Sequence, residues 1–487
     1  MNSDMKIHEI NAKMEALKSA FDQYREIPLS QRTRFMHDTG ERLLKNKDRL
    51  IQIAMKETHL PAERLLGELK RTAFQLTSYA DACKNGYWMD IRIQKPAEEN
   101  KPVIKKMNVP LGPVLIFGAG NFPFAYSTAG GDTACALAAG CSVMVKAHPQ
   151  HAATSDAVAG IIEEAVKENN MPSHLFMHVH ANDLSLVEKL VKHPVIKAVG
   201  FTGSYKAGKQ IFDWGNTREQ PIPVFAEMGS TNPVFILPGK MKESAEPYAQ
   251  TVSDSILTDA GQFCTKPGIL VIQKNTDANI FLKTLQDKMS QATPVAMLNV
   301  GIYENYEYKK GLSTEQENVK TISTNKHNRQ PLMGTPQLTL IDAKDFIANN
   351  VLKQEVFGPY CIIVCCRDIN EMKQVASSLE GQLTCTLAAT VQEAGQQKEL
   401  IKILQSICGR FIFNGVPTGV QVCPAMQHGG PFPATTSSLF TSVGPDGIKR
   451  FTRPLAFQNV AEELLPDALK ETNPLQLWRY TDDRFTR

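Results

Sequence analysis

Two short strings in this chain carry groups able to do covalent chemistry. Gly261-Gln262-Phe263-Cys264-Thr265 offers a thiol, and Glu227-Met228-Gly229, a short way upstream, offers a carboxylate. A thiolate attacks carbonyl carbon, and a nearby carboxylate can serve as its base or activate a water. Those are the groups needed to oxidise a carbonyl compound through a covalent thioester. A cysteine alone would not carry this, because free cysteines are usually buried as small hydrophobes.

Four further segments bear on the same chemistry. Gly118-Ala-Gly120-Asn121-Phe122-Pro123 follows an apolar strand, and an asparagine there can donate its amide to a developing oxyanion. It is only a GxG, without the full dinucleotide fingerprint. Phe201-Thr-Gly203-Ser204, followed by Gly208, closes another strand and opens a helix whose N-terminus favours a pyrophosphate. Lys146 ends a strand and could hold an adenosine ribose. Glu355-Val-Phe357-Gly-Pro supplies a carboxylate for ribose hydroxyls and an aromatic face beside it. Singly, each of these is more often a turn, a helix start or a solvated charge.

The elements that must position these groups follow from hydrophobic periodicity. Residues 5 to about 85 predict successive amphipathic helices broken near Pro28 and Pro61. Between Leu111 and Glu227, strands at Val114–Phe117, Ser142–Val145, Leu175–His178, Val195–Val199 and Pro223–Ala226 alternate with helices, one of them Thr128–Ala139. That alternation predicts a doubly wound parallel sheet with ligands at the carboxyl ends of its strands. A second alternating region, Asn232 to about Asn414, has strands near 233–237, 269–272, 360–364 and 411–413. Proline-flanked strands at 90–94 and 102–109 read as an element that pairs with another chain or forms a surface hairpin. The fold class is therefore α/β.

Composition limits the partners. Hydrophobic residues at 42% and charged residues at 21% suit a soluble globular protein. A net charge of +3, from 53 basic against 50 acidic residues, gives no electrostatic reason to expect nucleic acid or an acidic membrane surface. No stretch approaches the ~20 apolar residues of a membrane span, and the N-terminus lacks a signal-peptide core. Ten cysteines form no CxxC and pair with no histidine at zinc spacing. A reducing, cytoplasmic setting without structural disulfide or metal is expected.

Taken in order, NFP, VK, FTGS, the glutamate before Met-Gly, GQFC, EVFGP and Asn414-Gly415 resemble the aldehyde dehydrogenase superfamily over residues 90 to 465. Ala129-Gly-Gly-Asp-Thr133, Lys146-Ala-His-Pro149, Gly419-Val-Gln-Val-Cys423 and Met426-Gln-His428-Gly-Gly-Pro-Phe-Pro433 look like one branch of it. That branch contains 2,5-dioxovalerate (α-ketoglutaric semialdehyde) dehydrogenases and NADP-preferring fatty aldehyde dehydrogenases. The resemblance implies an aldehyde dehydrogenase-like fold: a cofactor domain at 1–228 (418–470 returning), a catalytic domain at 229–417 and a small oligomerisation element at 88–109 and 471–487 through which subunits pair, as a homodimer or a tetramer. It implies Cys264 as nucleophile, Asn121 and the Cys264 backbone N–H as oxyanion donors, and Glu227 as the group that activates hydrolytic water. Gly203 and Ser204 would meet the pyrophosphate, Lys146 the adenosine ribose and Glu355 the nicotinamide ribose, with Phe357 near the nicotinamide. His428, structural when considered alone, would lie near the thiol and could lower its pKa.

Members that pass the acyl group to coenzyme A usually lack the glutamate, so Glu227 favours hydrolysis to the acid. Many NAD-preferring members have an acid three positions after the lysine; here Pro149 stands there, which leans the coenzyme from NAD toward NADP. No arginine follows the third strand, where Lys189, Lys192 and His193 are the nearby bases. The resemblance places the substrate tunnel along a helix after Asn121. It would carry Phe124, Ala125, Tyr126 and Ala129, a mostly small surface suggesting room, with no cation assigned to a substrate carboxylate. Three functions are therefore carried forward: oxidation of 2,5-dioxopentanoate to 2-oxoglutarate, oxidation of a medium or long aliphatic aldehyde, and a non-catalytic binding protein on the same fold. An acidic aldehyde needs a basic residue in the tunnel, a fatty one an apolar lining. A non-catalytic descendant would typically lose the nucleophile or base, whereas Cys264, Glu227, Asn121 and Glu355 all stand.

Overall fold

The structure is a computed structural model describing residues 5–96, 98, 101–325 and 331–487. Helices at Ile10–Tyr24, Leu29–Lys45, Lys47–Thr58 and Ala62–Asn85 open it. Pro28 and Pro61 immediately precede two of these helices, where a missing N–H costs nothing. The last ends at Gly86, whose φ of +69° a glycine adopts without strain. Strands β1 (Arg92–Gln94) and β2 (Ile104–Pro110) come next. Residues 97, 99 and 100 of the expected 88–109 element lie outside the described residues.

Strands β3 (Val114–Phe117), β4 (Val143–Lys146), β5 (Phe176–Val179), β6 (Ala198–Thr202) and β7 (Val224–Glu227) form one parallel sheet in the order β5-β4-β3-β6-β7. Alternate residues of these strands feed two separate cores. Val114, Ile116, Val143 and Val145 pack with Leu137 and Ile162, whereas Leu115, Met144, Val199 and Phe201 pack with Leu186, Leu190 and Ile211. A sheet covered on both faces needs such apolar strands. The order reverses between β3 and β6, which opens a crevice at their carboxyl ends.

A seven-stranded sheet follows: β8 (Val234–Ile236), β9 (Ile269–Gln273), β11 (Lys320–Thr324), β13 (Gln337–Asp342), β14 (Tyr360–Cys366), β15 (Gln382–Ala388) and β16 (Cys408–Phe413), in the order β11-β13-β14-β9-β8-β15-β16. All neighbours are parallel except the edge pair β11–β13. Two short strands, β10 (Val295–Ala296) and β12 (Met333–Gly334), pair beside it. Finally β17 (Thr452–Gln458), β18 (Arg479–Thr481) and β19 (Arg484–Thr486) join the first two strands in the order β17-β2-β1-β18-β19.

Three expectations are corrected. The strand placed at Val195–Val199 begins at Ala198, because the chain turns through Pro194 and Val195 after the helix Leu184–Lys192. The second region has five more strands, β10, β11, β12, β13 and β15, than periodicity suggested. Lastly, no helix follows Asn121: residues 123–130 are turns, and the helix starts at Gly131. Phe124, Ala125 and Ala129 are buried in the turns, leaving half-buried Tyr126 as the side chain of that set at the surface of the segment. The cause is a contact from the helix Ala62–Asn85: its Glu68 carboxylate accepts from the Phe124 and Ala125 N–H groups at 2.8 and 2.9 Å, and Gly130 folds against the Ala125 carbonyl.

No described helix is long and apolar enough to cross a membrane.

Candidate active site

Glu227 ends β7, at the carboxyl edge of the first sheet, while Cys264 lies just ahead of β9, at the amino edge of the second. The returning segment that carries His428 bridges them, held by a Met228 N–H to Ala434 bond and an antiparallel Glu227–Thr435 bridge. The His428 Nε2 lies 3.6 Å from Cys264 Sγ and 3.1 Å from Glu227 Oε1. The Ser442 hydroxyl donates to the other Glu227 oxygen at 2.7 Å and to the His428 carbonyl at 3.1 Å. Thr441 Oγ1 accepts from the His428 N–H at 2.9 Å. Thiol, imidazole and carboxylate thus converge, their ligand atoms all within 4.8 Å of one another.

The electrostatics follow from that geometry. Burial pushes the Cys264 thiol well above its ordinary range, and the Glu227 charge and hydrogen bond push the same way. Burial also acts to raise Glu227, but His428, Ser442 and the thiol outweigh it and hold the carboxyl below its usual value. The resting pair is therefore a neutral thiol facing an ionised carboxylate. His428 does stand beside the thiol, yet its partner Glu227 opposes the lowering of the cysteine pKa expected from it.

The loop that presents Cys264 is fixed from several sides. Gly261 has φ +66°, and a Cβ there would sit 2.5 Å from the Gly358 carbonyl, so this crossing of the GQFC and EVFGP segments requires glycine. Asn232, fully buried at φ +45°, donates its amide to the Cys264 and Lys266 carbonyls at 2.8 and 3.0 Å. The Gln382 Oε1 locks the turn beneath it, accepting from the Thr231 and Asn232 N–H groups at 2.8 and 3.1 Å. The Arg64 guanidinium bonds Asp259 at 2.6 Å and Glu68 at 2.5 Å, tying the cysteine loop to the Asn121 segment. It also lies 4.5 Å over the Phe122 ring. Replacing Asn232 with alanine strands two carbonyls and puts a less tolerant residue at positive φ. The expected cost is about 2–4 kcal/mol, read as a lower urea midpoint; an unchanged midpoint would show that the network does not hold the loop.

The remaining sequence-selected residues divide between two places. The Asn121 Nδ2 donates to the Gln262 carbonyl at 3.1 Å, which sets its side chain against the nucleophile loop with a second amide hydrogen to spare. Lys146 ends β4; exposed Gly203 and Ser204 follow β6, where the Ser204 hydroxyl caps the helix Tyr205–Asn216. These three sit on either side of β3, at the carboxyl edge of the first sheet. Glu355 packs against Gly229, whose Cβ would lie 2.7 Å from its carboxylate, and Phe357 is half-buried two residues on. Burial lifts the Glu355 pKa to about 7 despite Lys266 and Lys309 nearby.

Sequence reasoning missed Asn232, Gln382, Ser442 and the Arg64–Glu68–Asp259 bridge. Asn232 and Gln382 carried no signal of their own, and Ser442 lies 215 residues from Glu227.

The model of the aldehyde dehydrogenase family matches residues 3–453. Alpha-ketoglutaric semialdehyde dehydrogenase 2 of Azospirillum brasilense is 38% identical over 480 residues, covering 98% of this chain and 91% of that protein. The alpha-ketoglutaric semialdehyde dehydrogenase of Acinetobacter baylyi is 38% identical over 490 residues, covering 100% and 93%. In fold, the chain superposes on glyceraldehyde-3-phosphate dehydrogenase GapN of Methanocaldococcus jannaschii, solved with NADP, with a TM-score of 0.79 at 17% identity, over 94% of this chain and 95% of that one. A cysteine and a glutamate brought together from two α/β sheets, in a chain matched along nearly its whole length, identify it as a member of the aldehyde dehydrogenase family, an oxidoreductase acting on aldehydes.

Proposed function

We propose that this enzyme oxidises 2,5-dioxopentanoate, the α-ketoglutaric semialdehyde, to 2-oxoglutarate with NAD(P), through a thioester on Cys264. The observation that carries the substrate is the end-to-end similarity to two enzymes named for that semialdehyde; the thiol–imidazole–carboxylate cluster supports the chemistry.

Cys264 Sγ attacks the aldehyde carbon as Glu227, ionised and within the cluster, takes the thiol proton. The oxyanion that develops is received by the spare Asn121 amide hydrogen and the Cys264 backbone N–H. NAD(P), which Lys146, Gly203, Ser204 and Glu355 would hold, would supply the acceptor for the hydride that leaves the thiohemiacetal. Glu227 releases the thiol proton to solvent, then removes a proton from water as it attacks the thioester, and passes that proton to the Cys264 thiolate expelled as the acid leaves. His428 holds Glu227 ionised and oriented between the two steps.

The donors at the carboxyl edge of the first sheet, with Glu355 from the segment ahead of β14, suit a dinucleotide. Lys146 offers an ammonium, Gly203 and Ser204 a helix N-terminus, and Glu355 a carboxyl for ribose hydroxyls. Pro149 starts a short 3-10 helix and puts no charge beside Lys146, which favours NADP over NAD. The first sheet with its returning segment forms the coenzyme domain, residues 229–417 the catalytic domain, and β1, β2, β18 and β19 a subunit-pairing element. The exposed edge strand β19, with Phe485 76% exposed, is where a second copy adds in the homodimer.

Initial rates with 2,5-dioxopentanoate and with a long-chain aldehyde, each with NAD and NADP, test the assignment. A clear kcat/KM advantage for the oxo acid is expected; a preference for the aliphatic aldehyde would overturn the substrate and leave the mechanism.

Glu355 makes coenzyme binding pH-dependent. The fold favours its neutral form, so this group's contribution to stability is present below pH ~4.5 and is lost as pH rises through about 7. The carboxylate that accepts ribose hydroxyls predominates only above that value. Affinity for NADPH is expected to tighten about tenfold from pH 6 to pH 8, as the ionised fraction grows, and Glu355→Gln should flatten the profile. A fluorescence titration showing the same slope in the glutamine variant would contradict this role.

A further inference from the structure

Two arginines from distant parts of the chain grip one loop beside the nucleophile. Arg71, on the helix Ala62–Asn85, donates to the Val420 carbonyl. Arg410, on β16, donates to the Gly419 and Pro417 carbonyls at 3.0 and 2.6 Å. Arg71 also reaches the Tyr126 hydroxyl at 3.3 Å and lies 5.8 Å over its ring. The Tyr126 ring centroid is 6.4 Å from that of His428, whose Nε2 is in turn 3.6 Å from Cys264 Sγ.

The two guanidiniums have a charge problem that the protein does not solve. Arg64 and Arg450, also withdrawn from water, bond carboxylates, Asp259 and Glu68 for the first and Asp132 for the second. Arg71 and Arg410 form no ion pair among the described residues, and each spends two of its five N–H donors on neutral oxygens. The Nε of each is buried without an acceptor. Burial holds the Arg410 pKa below its ordinary value, and the groups that oppose this are the Cys264 thiol and the Tyr126 hydroxyl. Arg32, Arg218 and Arg479 likewise bond only carbonyls, but away from the site: Arg32 at Ala138, Tyr24 and Ile27, Arg218 at Val191 and Ile196, and Arg479 at Lys470 and Glu471. Arg71 and Arg410 remain partly exposed at the site itself. A half-buried cation without a counter-ion is stabilised when an anion arrives, which turns a folding cost into binding selectivity.

We propose that Arg71 and Arg410, with the Tyr126 hydroxyl, form the subsite that receives the substrate carboxylate while the aldehyde carbon lies at Cys264. This rests on the oxo-acid assignment above and gives it the basic residues that the sequence did not disclose. The carboxylate of 2,5-dioxopentanoate stands at the far end of its five-carbon chain from the aldehyde, so the subsite would fix chain length as well as charge.

The test is the selectivity ratio, kcat/KM for 2,5-dioxopentanoate over kcat/KM for pentanal, which has the same chain length and no carboxylate. Arg71→Gln and Arg410→Gln are each expected to lower that ratio about thirtyfold, the worth of a charge-assisted hydrogen bond, chiefly through KM. Arg410→Lys should recover part of it. If both substrates lose activity equally, the arginines only hold the loop and the subsite is overturned. A wild-type enzyme with no preference for the oxo acid would overturn the substrate assignment as well, so the two failures are told apart. Should the glutamine variants not fold, glutarate and its uncharged diamide decide the question on the wild type. Glutarate alone is expected to compete with pentanal, and equal competition by both would overturn the subsite.

Discussion

Replacing Cys264 with alanine is expected to remove aldehyde oxidation, with kcat falling at least about 10⁴-fold. No other group in the cluster can take its place. The next nucleophile would be the Ser442 hydroxyl, which is committed to Glu227 and the His428 carbonyl. The nine other cysteines lie elsewhere in the fold, seven of them buried. Cys264→Ser should fall nearly as far, since a serine hydroxyl is harder to deprotonate than a thiol that already needs Glu227. Initial rates of NADPH formation, with circular dichroism to show that the variant is folded, provide the measurement. Residual turnover within tenfold of the wild type would place the chemistry on another residue. If the wild type itself neither turns over aldehydes nor binds NADPH, the non-catalytic alternative returns.

The second large effect separates the two half-reactions. Glu227→Gln keeps the side-chain volume and the hydrogen bond to Ser442 but removes the base. The first oxidation should still occur once per active site, more slowly because the thiol loses its proton acceptor. Hydrolysis should then stall, giving a burst of NADPH and a steady-state rate lower by about 10²–10⁴-fold. Hydroxylamine, which attacks thioesters without a base, should restore turnover. Steady-state turnover near the wild-type rate, with no burst, would mean that water is activated elsewhere. His428 is tested alongside: it helps hold Glu227 ionised, so His428→Ala should shift the acidic limb of the pH–rate profile upward.

Local strings made part of this site legible. Cys264, Glu227, Asn121 and Glu355 each sit in a short segment whose neighbours restrict the backbone, such as Gly261 ahead of the thiol and Gly229 after the carboxylate. The strands β3, β4 and β7 showed themselves as apolar runs because both of their faces are covered. Strand β15 did not: Gln382-Leu-Thr-Cys-Thr-Leu-Ala388 alternates polar with apolar residues and reads as half-exposed, yet every residue in it is buried. Its polar side chains are the ones that build the network under the nucleophile, Gln382 to Thr231 and Asn232, and Thr384 to Asn232 at 3.0 Å. Ser442, Arg71 and Arg410 were hidden for a related reason. Their partners lie hundreds of residues away or on backbone carbonyls, and neither leaves a mark in local composition. The expected helix after Asn121 failed on the same ground, because Glu68 took its N–H groups from another helix.

One measurement tests the central claim most directly. Glu227→Gln enzyme is mixed with NADP and 2,5-dioxopentanoate, quenched in acid at the end of the burst and analysed by mass spectrometry after proteolysis. The expected result is the mass of the 2-oxoglutaryl group on the peptide that contains Cys264, absent when NADP is omitted and released by hydroxylamine. A burst of NADPH with no acyl group on Cys264, or with the group on another residue, would contradict a thioester on this cysteine.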